Sequence, residues 1–117
     1  MAYSYLFFRP SHLPLATHEL SAQTALDLGD PVAVRAELDR VFPNIEWTDA
    51  LWGSTTVEGL WLEFRLPTAP ANTLSLRCSL RADYARIVQH LCDETGWIAF
   101  DQEPRCYQPH RAPIPAG

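Results

Sequence analysis

From residue 3 the chain reads YSYLFF, and both of its alternating sets are largely apolar. Tyr3, Tyr5 and Phe7 fall on one side of an extended chain, Leu6 and Phe8 on the other. A strand that is apolar on both sides belongs inside a sheet, not at its edge. Arg9 and Pro10 end it, since proline has no N–H to give a sheet ladder. Residues 10–29 show no sustained period and carry Pro10, Pro14 and Gly29, which predicts a long loop with one helical turn near Ser21 to Leu26. A loop of this length in a compact domain is either packed or functional. The period then changes. Val34, Leu38, Val41 and Phe42 recur at helical spacing, Asp30 is placed to cap the first turn, Pro31 suits the first helical position, and Pro43 stops the helix.

Beyond the helix, Ile45 to Trp47 reads as a short strand and TDALWGST as a turn with Trp52 at or near its tip. From Leu60 the alternation is regular. Leu60, Leu62, Phe64 and Leu66 point inward, while Trp61, Glu63 and Arg65 point outward. Val57 has the opposite parity, so a bulge at Gly59 is expected to return it to the core face. PTAPAN is a connection. The run from Leu74 then alternates again, with Leu74, Leu76, Cys78 and Leu80 inward and Ser75, Arg77 and Ser79 outward. Pairing these two runs as a hairpin with Leu66 opposite Leu74 sets Glu63 opposite Arg77 on the outer face. A second helix follows, started by Asp83, with Tyr84, Ile87, Val88, Leu91 and Cys92 as its stripe and Gly96 as a left-handed stop. Trp97 should pack back on Leu91 or Cys92. The last strand is WIAFD, with Trp97 and Ala99 on one face and Ile98 and Phe100 on the other.

This order predicts an α+β fold: a two-layer sandwich with a mostly antiparallel sheet of about five strands and two main helices on one face. Residues 1–103 form the single domain and 104–117 an extended, proline-rich C-terminal tail. Composition agrees with one globular domain, since 117 residues at 47% hydrophobic and 20% charged can bury a core without metal or disulfide staples. A net charge of −5 argues against nucleic acid and anionic membrane as partners.

All nine basic residues are arginine, which fits a GC-rich coding sequence and removes every lysine-based chemistry. Cys78, Cys92 and Cys106 are odd in number and form no CxxC pair, so buried thiols in a reducing compartment are expected, and hence a cytoplasmic protein. No segment has the length and apolarity of a membrane span or a signal peptide.

Candidate chemistry is sparse. There is no GxSxG, GxGxxG or phosphate-loop motif. His12, His18, Cys106 and His110 do not follow any strong zinc spacing, so neither a metal nor a cofactor is expected. Among the carboxylates Glu58, Glu63, Asp49 and Asp101, spacing identifies no catalytic pair. The tryptophans are more informative. Trp61 shares the outer hairpin face with Glu63, Arg65 and Arg77, and Trp52 lies near it. Tryptophan and arginine are the residue types enriched at binding hot spots.

The opening AYSYLFFRP, together with residues 83–102 ending in TGWIAFDQ, resembles small uncharacterised bacterial α+β proteins, some of them linked to toxin–immunity gene neighbourhoods. The resemblance implies protein binding, including immunity-like toxin neutralisation, and carries no catalytic residues. The expected function is therefore non-enzymatic protein binding through Trp61, Trp52, Glu63, Arg65 and Arg77. The partner is another protein, or a second copy of the chain in a homo-oligomer. The alternative is a small enzyme or ligand-binding protein with a pocket near the 10–29 loop, built from His12, His18 and Asp101.

Overall fold

The computed structural model describes residues 2–19, 21, 23–26, 28, 30–49, 51–66, 74–79, 83–102 and 105–115. Strand β1 (Ala2–Pro10) lies inside the sheet, between β6 (Leu74–Ser79) and β7 (Ile98–Phe100), as its two apolar faces require. Outward from β6 come β5 (Leu60–Arg65), β4 (Trp52–Val57) and β3 (Glu46–Trp47). Outward from β7 come β8 (Arg105–Tyr107) and β9 (Ile114–Pro115). These eight strands form one path, and β2 (Ala25–Leu26) pairs with the end of β1. Every pairing among the described residues is antiparallel. With helices α1 (Pro31–Val41) and α2 (Ala85–Thr95), the class is α+β.

The expected count of about five strands is corrected by the short elements. β2, β8 and β9 span two or three residues each, too few to show a period of two. β4 was hidden by its polar content, WGSTTV. Trp52 is therefore its first residue and not the tip of a turn. The bulge at Gly59 is also corrected. Glu58 (φ 53) and Gly59 (φ 80) form a two-residue hairpin turn, and Val57 pairs directly with Leu60. Two successive left-handed residues fit the twist of the flanking strands, which is why such turns favour glycine.

In the long loop the helical turn lies at Thr17–Glu19, and Ala25–Leu26, expected within it, is strand. The proline-rich segment, read as an extended tail, contributes β8 and β9 to the sheet. Its Arg-Cys-Tyr stretch keeps the N–H donors a ladder needs, and Pro115 sits in the outermost strand, where a missing donor costs little. The connection 67–73 and the inward Leu80 lie outside the described residues.

Both helices form as their sequences dictate. Asp30 caps α1, its side chain accepting from Val32 N, with Pro31 at the first position. The Asp83 carboxylate accepts from Ala85 N at the start of α2, and Gly96 ends α2 at φ 79. Val34 and Leu38 of α1 and Ile87, Val88, Leu91 and Cys92 of α2 share one buried cluster with the inward residues of the sheet. Trp97 joins this cluster, its ring edge-on to Phe7 with centroids 6.3 Å apart. The paired residues Tyr5 and Leu76, Phe64 and Leu76, and Phe7 and Ala99 show that one continuous sheet face is buried.

The opposite face is treated unevenly. At the β7–β8 end Leu15, from the segment after β1, is buried against Ile98 and Cys106, with Phe8 and Phe100 packed against them. Gln108, buried in the same region, fixes the loop there. Its side-chain amide accepts from Leu15 N and donates to Leu15 O, both at 2.8 Å. At the β4–β5–β6 end nothing among the described residues covers the face.

Candidate functional site

The uncovered face is built by the hairpin registers. Glu63 lies opposite Arg77, as the alternation of the two runs predicts, and the guanidinium reaches the carboxylate at 3.3 Å. On the other side Glu63 lies opposite Ser54, which lies opposite Glu46 of β3. One row across the sheet is thus Glu46, Ser54, Glu63, Arg77 and Ser4. A second row is Trp52, Arg65, Ser75 and Leu6, and a third contains Thr56 and Trp61. All five residues expected at a binding face therefore share one surface.

Two of the arginines on this face are already engaged. The Arg65 guanidinium stands 5.2 Å above the Trp52 ring, and Arg77 holds Glu63. Trp61 is 42% exposed, whereas Trp47 and Trp52 are half-buried and Trp97 is buried. Its position follows from the turn. Val57 and Leu60 close the two-residue hairpin and form the hydrogen-bonded pair, so the backbone groups of Thr56 and Trp61 point away from each other. The outward-turned carbonyl of Trp61 accepts from the Tyr84 hydroxyl at 2.7 Å. The backbone is thereby tied to the core while the ring stays in solvent. Leu6, 43% exposed, belongs to the same face and was missing from the expected set. Its parity, opposite to Tyr5 and Phe7, was the available signal.

Thr56, Trp61, Ser54, Thr55, Asn44 and Glu46 line a cleft of about 330 Å³ at the edge of this face. A larger cleft, about 530 Å³, lies on the helical side, between the end of α1, the β4–β5 turn and α2. Its floor is Val41, Phe42, Val57 and Ile87. Most of its polar side chains are bound to one another or to the chain: Arg86 to Glu58 at 3.3 Å, and Gln89 Nε2 to Asp93 at 2.9 Å and to the Gln108 carbonyl at 2.6 Å. Gln89 Oε1 is buried and has no partner among the described residues. This cleft is more a seam between packed elements than an array of free groups.

The alternative pocket residues sit elsewhere. His12 Nε2 is 2.9 Å from Glu19, and His18 is exposed in the 3-10 turn. The hydrogen bond from Ala16 N and the His12 imidazole hold the Glu19 carboxyl below its ordinary value. Asp101 ends β7 as a loop cap, accepting from Arg105 N at 2.9 Å and from the Tyr107 hydroxyl at 3.4 Å. Neither cleft described above includes His12, His18 or Asp101.

Among the described residues no group of three or more His, Cys, Asp or Glu is placed to hold a metal. Cys106 is buried beside Leu15 and Ile98, while His110 lies on Asp93 of α2, its N–H donating at 2.6 Å. All three thiols are free and buried. Burial pushes Cys78 up to about 12, Cys106 up to about 11 and Cys92 upward as well, so none is a thiolate nucleophile near neutral pH. No helix of the described residues is long and apolar enough to cross a membrane. Comparisons with protein-family models, with curated proteins and with solved structures return no match.

Proposed function

We propose that this chain is a non-catalytic protein-binding domain whose partner docks on the open face of β4, β5 and β6. The observation that carries the reading is the exposed Trp61 ring, held outward by a backbone fixed to Tyr84, on a surface that also carries Trp52, Arg65, Arg77, Glu63 and Leu6. Aromatic burial supplies the affinity at such a face, and the charged rows set the register of docking. Neutralisation of a toxin-like protein, in the manner of an immunity protein, is the finer form of the reading. It is supported by the resemblance of the first strand and of residues 83–102.

The test is affinity capture with the wild-type chain and with Trp61→Ala, followed by titration of the purified partner. Trp61→Ala should weaken binding about thirty-fold or more, as expected for a central aromatic anchor. Its thermal midpoint should stay near that of the wild type, because the variant keeps the carbonyl that Tyr84 uses. Unchanged affinity would remove the face from consideration.

A further inference from the structure

The tryptophans of this chain are accompanied in a revealing way. Arg35 stands 4.6 Å above the Trp47 ring and Arg65 stands 5.2 Å above the Trp52 ring. Trp97 is buried in the core. Trp61, the most exposed of the four, has no cation over its ring and no partner for its indole N–H among the described residues. Four of the acids also have a cation beside them. Glu37, Asp39, Glu58 and Glu63 each face an arginine. Glu46, exposed on β3, has none among the described residues.

These two side chains line one cleft. Glu46 is paired to Ser54 and Trp61 to Thr56, two residues apart on the same face of β4, and the space of about 330 Å³ between them is completed by Asn44 and Thr55. An aromatic wall, a carboxylate without a counter-ion and a rim of hydroxyl and amide acceptors together lack one thing, a cation with several donors. Guanidinium meets that description better than ammonium, because it is planar, stacks on an aromatic face and presents a fork of N–H groups to a carboxylate. The arginines of the face itself do not fill the role, since Arg65 lies on Trp52 and Arg77 on Glu63.

We infer that the Trp61–Glu46 cleft receives an arginine side chain of the protein partner. This rests on the protein-binding reading and specifies the chemistry of its anchor. The bound guanidinium stacks on the Trp61 indole, bonds to the Glu46 carboxylate and donates its remaining protons to the Asn44, Ser54 and Thr56 side chains. A partner with a protruding basic residue also suits a chain of net charge −5.

The test uses the isotope-labelled full chain and two capped pentapeptides, Gly-Gly-Arg-Gly-Gly and the same sequence with citrulline, the uncharged isostere, in place of arginine. The arginine peptide should shift the Trp61 indole N–H resonance and the amides of Ser54 and Thr56. Citrulline should bind at least about five-fold more weakly, and Glu46→Gln should weaken the arginine peptide by at least about three-fold. The Glu46 side chain makes no hydrogen bond or ion pair among the described residues, so Glu46→Gln should fold as the wild type. Equal responses to both peptides, or shifts confined to other residues, overturn the inference. So does a tighter response to a third capped peptide, Gly-Gly-Lys-Gly-Gly, than to the arginine peptide.

A Trp61 shift that grows with protein concentration alone assigns the cleft to a second copy and overturns it too. The captured partner separates this failure from that of the proposed function. If Trp61→Ala loses the partner while Glu46→Gln keeps wild-type affinity, the face stands and the arginine receptor falls. If Trp61→Ala keeps the partner, the face itself falls.

Discussion

Gln108 shows how much one buried amide can organise. Its side chain makes two hydrogen bonds to the Leu15 peptide, and its own carbonyl accepts from Gln89 of α2. It therefore connects the loop on one side of the sheet with the helix on the other. Gln108→Ala should leave a buried N–H and a buried C=O without partners and cost about 2–4 kcal/mol of stability. Urea unfolding of the variant measures this. Gln102→Ala is the control: this exposed side chain accepts one long bond, 3.3 Å from Ser4 N, and its loss should stay within about 0.5 kcal/mol. Nothing in the sequence marks Gln108 as special, because a single glutamine among prolines reads as solvent-facing. Trp61 was legible, since strand alternation alone put it on the outer face beside Glu63 and Arg65. Glu46 was not, since a two-residue strand has no alternation to read.

At the scale of elements, legibility followed length and punctuation. α1 announced itself by Asp30, Pro31 and Pro43, α2 by its apolar stripe and Gly96, and the β5–β6 register by two long alternating runs. The β4–β5 hairpin was obscured because Glu-Gly is a weak turn signal, and because only one of the two residues is suited to a positive φ. That misfit can be tested. Glu58 holds φ 53 with a side chain, so Glu58→Asn should stabilise the chain by a few tenths of a kcal/mol, asparagine being at ease in this region. Gly59→Ala, at φ 80, should destabilise it by roughly 1 kcal/mol or more. Thermal midpoints of the two variants against wild type show whether the signs are opposite. Loss of the Glu58–Arg86 ion pair should not mask the first effect, since both partners are exposed and such pairs contribute little.

Across the whole molecule, the proline-rich segment is held by Asp93. Its Oδ1 accepts from the His110 N–H at 2.6 Å and from Gln89 at 2.9 Å. Burial alone would raise this carboxyl, but the bonds from His110 and Gln89 and the nearby His110 and His90 charges outweigh it and hold the value below the ordinary 3.8. A carboxyl depressed in the folded state stabilises the fold above its unfolded value, and that contribution fades as pH falls through the folded value. Asp93→Asn should therefore be less stable than wild type near neutral pH, with the gap closing below about pH 4. Urea midpoints across this range would show a constant gap if the carboxylate charge were unimportant. The position of β1 has a consequence for the chain as it is made. β1 leaves the ribosome before the segments that flank its Tyr5-Leu6-Phe7-Phe8 stretch, residues 74–79 and 98–100. Until those emerge, the Tyr5-Leu6-Phe7-Phe8 stretch has no strand to join on either edge. The β4–β5–β6 meander is complete before the centre of the sheet exists, and the nascent chain must keep its most apolar strand from finding a stranger's edge in the meantime.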